Sequence, residues 1–107
     1  MDREIKNFLS ILKVLQSIDP KFPLHYAMCL AYISQNEGLS LTQLANKTNL
    51  ALPTVSRIVG ALSDHRQKGK AYGLVGVRVS KTERRRKELF MTPKGETAIK
   101  RIVDIIK

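Results

Sequence analysis

The hydrophobic period of this chain changes once between residues 40 and 91, and this change constrains the fold more than any other feature. Apolar residues up to residue 62 recur at helical spacing in two short segments. They are Leu41, Leu44 and Ala45 in the first segment, and Val55, Ile58, Val59 and Leu62 in the second. The runs "GLVGVRV" (residues 73–79) and "KELFM" (residues 87–91) instead indicate two strands around a charged turn. The pattern therefore predicts two short helices joined by a tight turn, followed by a β-hairpin.

Residues that start and end helices bound these elements. Ser40 and Gln43 have the spacing of a capping box, in which each side chain accepts a backbone N–H at the start of the helix. Asn49 suits a left-handed turn between the two helices. Thr92 is placed as the N-cap of a last helix, with Pro93 at its first position. We therefore expect a helix-turn-helix over residues 40–65 and a final helix over residues 93–107.

Two further helices are expected before this unit. Helical spacing of apolar residues predicts a first helix over about residues 3–17, capped by Asp2 and ended by Asp19-Pro20. A second helix is predicted from near Pro23 to about residue 36, with Gly38 placed to terminate it. Cys29 lies inside this apolar helix, where we expect a buried structural thiol.

The first and last predicted helices carry more apolar surface than one small domain covers. We expect the N-terminal helix of one chain to pair with the C-terminal helix of a second chain, which makes the protein a homodimer. The alternative is that the two apolar stripes pack on each other within one chain. The predicted dimerisation residues are Ile5, Phe8 and Leu12 in the first helix and Ile99, Ile102, Val103 and Ile106 in the last.

Basic charge is concentrated in one stretch of the chain. The sequence has 19 Lys and Arg against 9 Asp and Glu, a net charge of +10, and residues 57–87 hold ten basic and two acidic residues, a net +8. Such a local excess indicates an anionic partner, which is a nucleic acid, a membrane surface or an acidic protein. A membrane is disfavoured because the charge lies on a turn and not along an amphipathic helix. RNA is disfavoured because the stretch has few aromatic residues to stack on bases.

The sequence lacks the residue patterns of an enzyme. Cys29 is the single cysteine, which excludes an intramolecular disulfide and a cysteine metal cluster. The two histidines, His25 and His65, lie in no metal-binding pattern, and no glycine-rich phosphate loop occurs. The N-terminus does not resemble a signal peptide, and no apolar run approaches about 20 residues. We predict no catalytic activity, no metal and no cofactor, in a cytoplasmic protein.

The outward face of the second short helix carries short side chains. A solvated helix face usually has long Lys and Glu side chains, whereas short and hydroxyl-bearing ones let a helix approach DNA closely. Ser, Thr and Arg can then contact base edges or phosphates. The residues predicted to point outward are Pro53, Arg57, Gly60 and Asp64, with Thr54, Ser56 and Ala61 beside them.

Three motifs follow one another without a gap in the hairpin region. Gly73-Leu74-Val75 begins the first strand, Glu83-Arg84-Arg85 lies in the turn, and Met91-Thr92-Pro93-Lys94-Gly95 leads into the last helix. Together with "LTQLANKTNLALPTVSRIVGAL" (residues 41–62), they resemble the winged helix-turn-helix of the MarR family of transcriptional regulators, over roughly residues 38–97. The chain departs from the family pattern at Ala51, where a capping serine is common, so we expect an uncapped recognition helix.

The resemblance implies a homodimeric, sequence-specific regulator that binds double-stranded DNA, and we expect a repressor. The recognition helix would lie in the major groove, while one arginine of the basic wing enters the minor groove and another pairs with Glu83. The alternative is a winged-helix module that binds RNA polymerase or another regulator. No residue pattern indicates a particular small-molecule effector. The predicted DNA-binding residues are Ser40, Thr42, Pro53, Thr54, Ser56, Arg57, Arg66, Lys68, Lys70, Lys81, Arg84, Arg85 and Arg86.

The fold class that follows is mostly α with a small β-hairpin. We expect one domain over residues 1–107, because the chain has no linker, repeat or low-complexity tract. Its expected parts are N-terminal helices over residues 1–36, the helix-turn-helix, the wing over residues 73–91, and the C-terminal helix.

Overall fold

The computed structural model describes residues 1–64, 69–83 and 86–107, and these ranges contain five helices and one hairpin. The helices are α1 (Asp2–Ile18), α2 (Leu24–Gln35), α3 (Leu41–Thr48), α4 (Leu52–Leu62) and α5 (Pro93–Ile106), and the strands are β1 (Val75–Val79) and β2 (Lys87–Met91). This confirms the predicted architecture of a winged helix-turn-helix flanked by helices. The predicted site residues Arg66, Lys68, Arg84 and Arg85 lie outside the described residues.

The hairpin is joined to the segment that leads into α3. β1 and β2 are antiparallel, with Val77 opposite Leu89. On the other edge of β2, the N–H of Gly38 donates to the Leu89 carbonyl at 2.7 Å, and the Leu89 N–H donates to the Leu39 carbonyl at 3.0 Å. Gly38 has a φ of 93°, a conformation that glycine adopts without steric cost and that directs the chain from α2 toward β2. The wing is thereby fixed to the start of the helix-turn-helix.

The core lies between α2, α3, α4 and the inner face of the hairpin. Burial of these apolar side chains is the main term that stabilises the arrangement. Cys29 is fully buried among them, as predicted, and burial raises the pKa of its thiol to about 11. It is therefore a neutral packing residue near pH 7. The largest fully buried side chains are Leu30, Ile33, Leu44, Leu62, Leu74, Leu89, Val55 and Cys29.

The local helix signals of the helix-turn-helix are confirmed. The Gln43 N–H donates to Ser40 Oγ at 3.1 Å, and the Ser40 N–H donates to Gln43 Oε1 at 2.8 Å, which completes the capping box. Asn49 adopts the left-handed conformation, with φ 58° and ψ 34°. Ala51 stands at the N-cap of α4 without a side-chain cap, as expected. Each of these features depends on residues within one turn of chain.

Two predicted helix starts are wrong by one residue. Asp2 does not cap α1, because the helix already includes it and Met1 occupies the cap position. The Asp2 carboxylate instead lies 3.3 Å from the Lys6 ammonium, one turn along, and its charge suits the positive end of the helix dipole. Pro23 is the N-cap of α2 and not its first helical residue, with an extended backbone at ψ 144°.

The predicted first strand also begins too early. The backbone N–H groups of Gly73 and Leu74 donate to the carbonyls of Ser63 and Leu62, at 2.9 and 2.7 Å. They thus satisfy carbonyls that the end of α4 leaves unpaired. β1 therefore starts only at Val75, and the two residues before it fasten the wing to the recognition helix.

The Thr-Pro-Lys-Gly corner fixes the other end of the wing. Thr92 Oγ1 accepts the Gly95 N–H at 3.1 Å and donates to the Gly73 carbonyl at 2.7 Å, so one hydroxyl caps α5 and holds the strand entry. Gly95 is buried, and the carbonyl group of Leu74 occupies the place where a Cβ would be. The first turn of α5 therefore packs directly on the backbone that leads into β1.

The terminal helices α1 and α5 pack on each other within the chain. The inward side of α1 includes buried Val14 and half-buried Ile11 and Ile18. Ile102 and Ile105 of α5 are half-buried. One side of each terminal helix thus packs within the chain, which is the alternative to pairing between two chains.

Candidate nucleic-acid interface

A cleft of about 700 Å³ separates the turn of the wing and the start of β2 from the starts of α3 and α4. It is formed by three segments of the chain that the fold brings together: the α3 capping box, the first turn of α4, and the hairpin from its turn into β2. Its exposed surface is mainly aliphatic carbon, including the stems of the polar and charged side chains, with hydroxyl, amide and charged groups set among it. The lining residues are Ser40, Leu41, Thr42, Gln43, Leu52, Pro53, Ser56, Glu83, Arg86 and Lys87.

Five of the residues predicted from the sequence to bind DNA line this cleft. Thr42, Pro53 and Ser56 are exposed, while Ser40 and Arg86 are half-buried. These residues lie close together because β2 pairs with residues 38–40, and this pairing holds the hairpin beside the start of α3.

The recognition helix presents a polar outer surface, with one correction. Arg57 is exposed, as predicted, and Thr54 is half-buried. Ala61 was expected on the outer face but is buried, with 1% of its surface exposed. The segment that enters the wing covers it, since the Tyr72 N–H donates to the Ala61 carbonyl at 3.0 Å. The accessible part of α4 therefore lies toward its N-terminus.

Two predicted residues lie elsewhere. Lys81 is exposed on the turn of the wing. Lys70 lines a different cavity of about 630 Å³, between the end of α1, the start of α5 and the segment before β1. Lys94 and Arg101 line the same cavity. The basic residues of the chain are therefore distributed over more than one surface.

Arg86 lies in the turn of the wing, directly before β2, and its side chain is directed toward the helix-turn-helix. Its Nη2 donates to Gln43 Oε1 at 3.2 Å. Its backbone closes the turn, because its N–H donates to the Glu83 carbonyl at 2.9 Å and its carbonyl accepts the Ser80 N–H at 2.8 Å. Its Nε is buried and has no acceptor among the described residues. The neighbouring cation Arg78 instead lies over the ring of Phe90, with 4.4 Å to the ring centroid.

Sequence reasoning missed three polar or charged residues of the cleft. Lys87 and Glu83 were counted in the basic stretch, but nothing in the sequence indicated that they face the helix-turn-helix. Gln43 was identified only as a capping residue. Its second role, as the acceptor for Arg86, depends on a residue 43 positions away and leaves no local signal.

The predicted dimerisation residues divide into two groups. Ile99 and Ile102 are half-buried within the chain. The others remain exposed, together with Leu9, so an apolar surface persists after α1 has packed on α5. The exposed fractions are 50% for Ile5, 57% for Phe8, 41% for Leu12, 40% for Val103 and 65% for Ile106.

The described residues contain neither a metal-binding cluster nor a membrane-spanning helix. No group of three or more His, Cys, Asp or Glu is placed there to hold a metal ion. Among those same residues, no helix is both long enough and apolar enough to span a bilayer.

A family model described as the IclR helix-turn-helix domain matches residues 30–67, which contain α3 and α4. No curated protein sequence matches the chain significantly.

Solved structures of transcriptional regulators share the fold. The Staphylococcus aureus MepR–DNA complex superposes with a TM-score of 0.75 at 21% identity, over 98% of this chain and 77% of MepR. The repressor CouR, bound to a 23-mer DNA duplex, gives 0.69 at 20% identity, over 96% of this chain and 66% of CouR. MarR gives 0.67 at 22% identity, over 94% of this chain and 69% of MarR. The predicted resemblance to the MarR family is confirmed at the level of the fold, and the chain spans about two thirds to three quarters of these proteins.

Proposed function

We propose that this protein is a transcriptional regulator that binds double-stranded DNA sequence-specifically as a homodimer, and that it acts as a repressor. In this proposal α4 enters the major groove and the basic wing follows the adjacent minor groove. The observation that carries the proposal is the cleft between the helix-turn-helix and the wing, which gathers five predicted DNA-contacting residues from three segments of the chain. The basic stretch with a net charge of +8 contains most of α4 and all of β1, and it ends at the first residue of β2.

The start of α4 is suited to approach a DNA backbone. Ala51 provides no side-chain cap, so the N–H groups of Leu52 and Thr54 are available to an anion, whereas Pro53 between them has none; the helix dipole also favours negative charge there. Ser56 and Pro53 are short side chains on the exposed side, which permits close approach. This supports phosphate contacts at the N-terminus of α4 and base contacts along its outer face.

Solved structures that share the fold support duplex DNA as the ligand. MepR and CouR are both described in complexes with DNA, and CouR is described as a repressor. We assign DNA binding and repression to this protein as part of the proposal.

Selection from a random pool of duplexes tests the proposed specificity. We expect the selected sequences to share a two-fold symmetric motif, because a symmetric dimer places its two recognition helices about 34 Å apart, or one turn of DNA. A selected motif without symmetry would argue against the dimer. Recovery of no motif at all, with no binding to duplex DNA, would favour the protein-interaction module instead.

Arg57→Ala is expected to relax the base preference of the protein. Arg57 is exposed on the outer face of α4, and a bidentate contact to a base is worth about 1–3 kcal/mol of discrimination. Affinity for the selected duplex would therefore fall by roughly ten- to a hundred-fold, while affinity for random duplex changes much less. Both affinities are measured by fluorescence anisotropy.

Lys81→Ala is the matched control for Arg57→Ala. It also removes one exposed cation, but from the turn of the wing, where we expect a phosphate contact that does not depend on sequence. It is expected to weaken binding to both duplexes by the same factor. Equal losses on both duplexes for Arg57→Ala would show that Arg57 does not read bases.

A further inference from the structure

Arg86 and Gln43 join the wing to the helix-turn-helix across 43 residues of sequence. Arg86 Nη2 donates to Gln43 Oε1 at 3.2 Å, and the same oxygen accepts the Ser40 N–H at 2.8 Å. The contact therefore ends on the capping box that starts α3. We propose that Arg86 is a positioning residue, which sets the angle of the wing relative to α3 and α4 and does not bind a DNA phosphate. This inference rests on the proposed DNA binding and assigns to Arg86 a role different from that of the other wing cations.

The contact continues an attachment that the backbone begins. Near the base of the wing, β2 is hydrogen-bonded to residues 38–40, and Ser40 lies opposite Glu88. Strand pairing ends there, because α3 begins at Leu41 and its backbone groups are used along the helix. Arg86 is two residues further toward the tip of the hairpin. Strand pairing does not reach this position, so the side chain of Arg86 makes the contact that holds the outer part of the wing to α3.

The surroundings of Arg86 also disfavour a phosphate contact. Its Nε is buried and therefore closed to a phosphate oxygen, and one N–H of its Nη2 is bound to Gln43, so only part of the guanidinium remains open to a phosphate. Its backbone is fixed on both sides by the hydrogen bonds to Glu83 and Ser80 that close the turn. A side chain held in this way is suited to transmit the position of the turn to α3. Lys81, in contrast, is exposed on the same turn.

A double-mutant cycle on DNA affinity tests the proposal. The dissociation constant for the selected duplex is measured for wild type, Arg86→Ala, Gln43→Ala and the double variant. If the contact acts as a unit, each single variant binds about ten-fold more weakly and the double variant is no weaker than either, whereas independent effects would multiply to about a hundred-fold. The salt dependence of Arg86→Ala stays close to wild type, because the loss of one phosphate contact from each chain of the dimer would change the log–log slope by about 1.8.

Two matched variants separate this effect from helix capping and from charge. Ser40→Ala breaks the same capping box from the other side but leaves the Gln43 oxygen for Arg86, so its effect is expected to add to that of Arg86→Ala. Arg78→Ala removes one cation of the same hairpin, whose guanidinium packs on Phe90 and not on α3. It is expected to lower affinity less than Arg86→Ala does. Thermal unfolding of each variant shows whether the fold is kept.

The outcomes decide between positioning and phosphate binding. Additive effects of Arg86→Ala and Gln43→Ala, or a fall of about 1.8 in the salt slope of Arg86→Ala for the dimer, would overturn the proposal. Unchanged affinity in Arg86→Ala would overturn it as well. If wild-type protein bound no duplex, the proposed function would fail. The midpoints of thermal unfolding of the same four proteins would then still show whether Arg86 and Gln43 are coupled. If the shifts of the two single variants added up in the double variant, the two side chains would not interact.

Discussion

Gly95→Ala is expected to lower the free energy of unfolding by about 3 kcal/mol, the largest effect on stability that we predict for a single methyl group in this chain. The added Cβ would overlap the carbonyl group of Leu74 and would lie 2.8 Å from Met91 Cε. The Met91 side chain can move, but the Leu74 backbone is held by hydrogen bonds to Leu62 and Thr92. Relief therefore requires α5 to shift away from the wing. Urea unfolding followed by circular dichroism measures the loss.

Gly76→Ala is the matched control for this prediction. Gly76 lies in β1, and a Cβ there would meet only the Phe90 carbonyl oxygen, at 4.0 Å. Alanine also restricts the unfolded chain more than glycine does, so we expect Gly76→Ala to change stability by less than about 1 kcal/mol. Equal stability of the two variants would contradict the close packing of α5 on the wing entry.

Phe8→Glu is expected to convert the proposed dimer into a monomer and to weaken binding to the selected duplex by roughly a hundred-fold or more. Phe8 is 57% exposed on the side of α1 that α5 leaves uncovered, beside Ile5 and Leu12. A carboxylate buried there without a partner opposes association. A monomer binds one half-site and loses the effective concentration that the second half-site provides. Sedimentation equilibrium at micromolar protein measures the association, and anisotropy measures the affinity.

Ser10→Glu is the control on the same helix. Ser10 is exposed and, at 100° per residue, lies about 200° around α1 from Phe8. The substitution Ser10→Glu therefore adds the same charge away from the apolar surface. We expect it to remain dimeric with nearly unchanged affinity. A wild-type protein that is monomeric at micromolar concentration and binds a single half-site at full affinity would remove the dimer from the proposal.

Features that depend on neighbouring residues were predictable from the sequence. The capping box of Ser40 and Gln43, the left-handed Asn49 and the N-cap Thr92 are each fixed within about one turn of chain. The change of hydrophobic period located the hairpin to within two residues. These signals are strong because the backbone groups concerned must be satisfied locally.

Features that depend on distant residues were not predictable. The burial of Ala61 and the late start of β1 share one cause, which is the packing of residues 72–74 on the end of α4. The Thr-Pro-Lys-Gly motif was visible, but the need for Gly95 arises from the Leu74 carbonyl, 21 residues earlier in the chain. The same holds for the contact of Arg86 with Gln43. Helical periodicity alone also does not tell which side of α1 is covered by α5 and which remains for a partner.

The salt dependence of duplex binding tests the central claim most directly. Without Lys70, which lines another cavity, and Arg86, which contacts α3, residues 57–87 of each chain still hold eight basic residues, and these suggest about 6–10 phosphate contacts per dimer. Each contact releases about 0.9 counterions, so the dissociation constant of wild-type protein for the selected duplex, titrated between about 50 and 200 mM salt, is expected to give a log–log affinity slope of about −5 to −9. A slope near zero, or equal affinity for the selected and the random duplex at every salt concentration, would contradict the account.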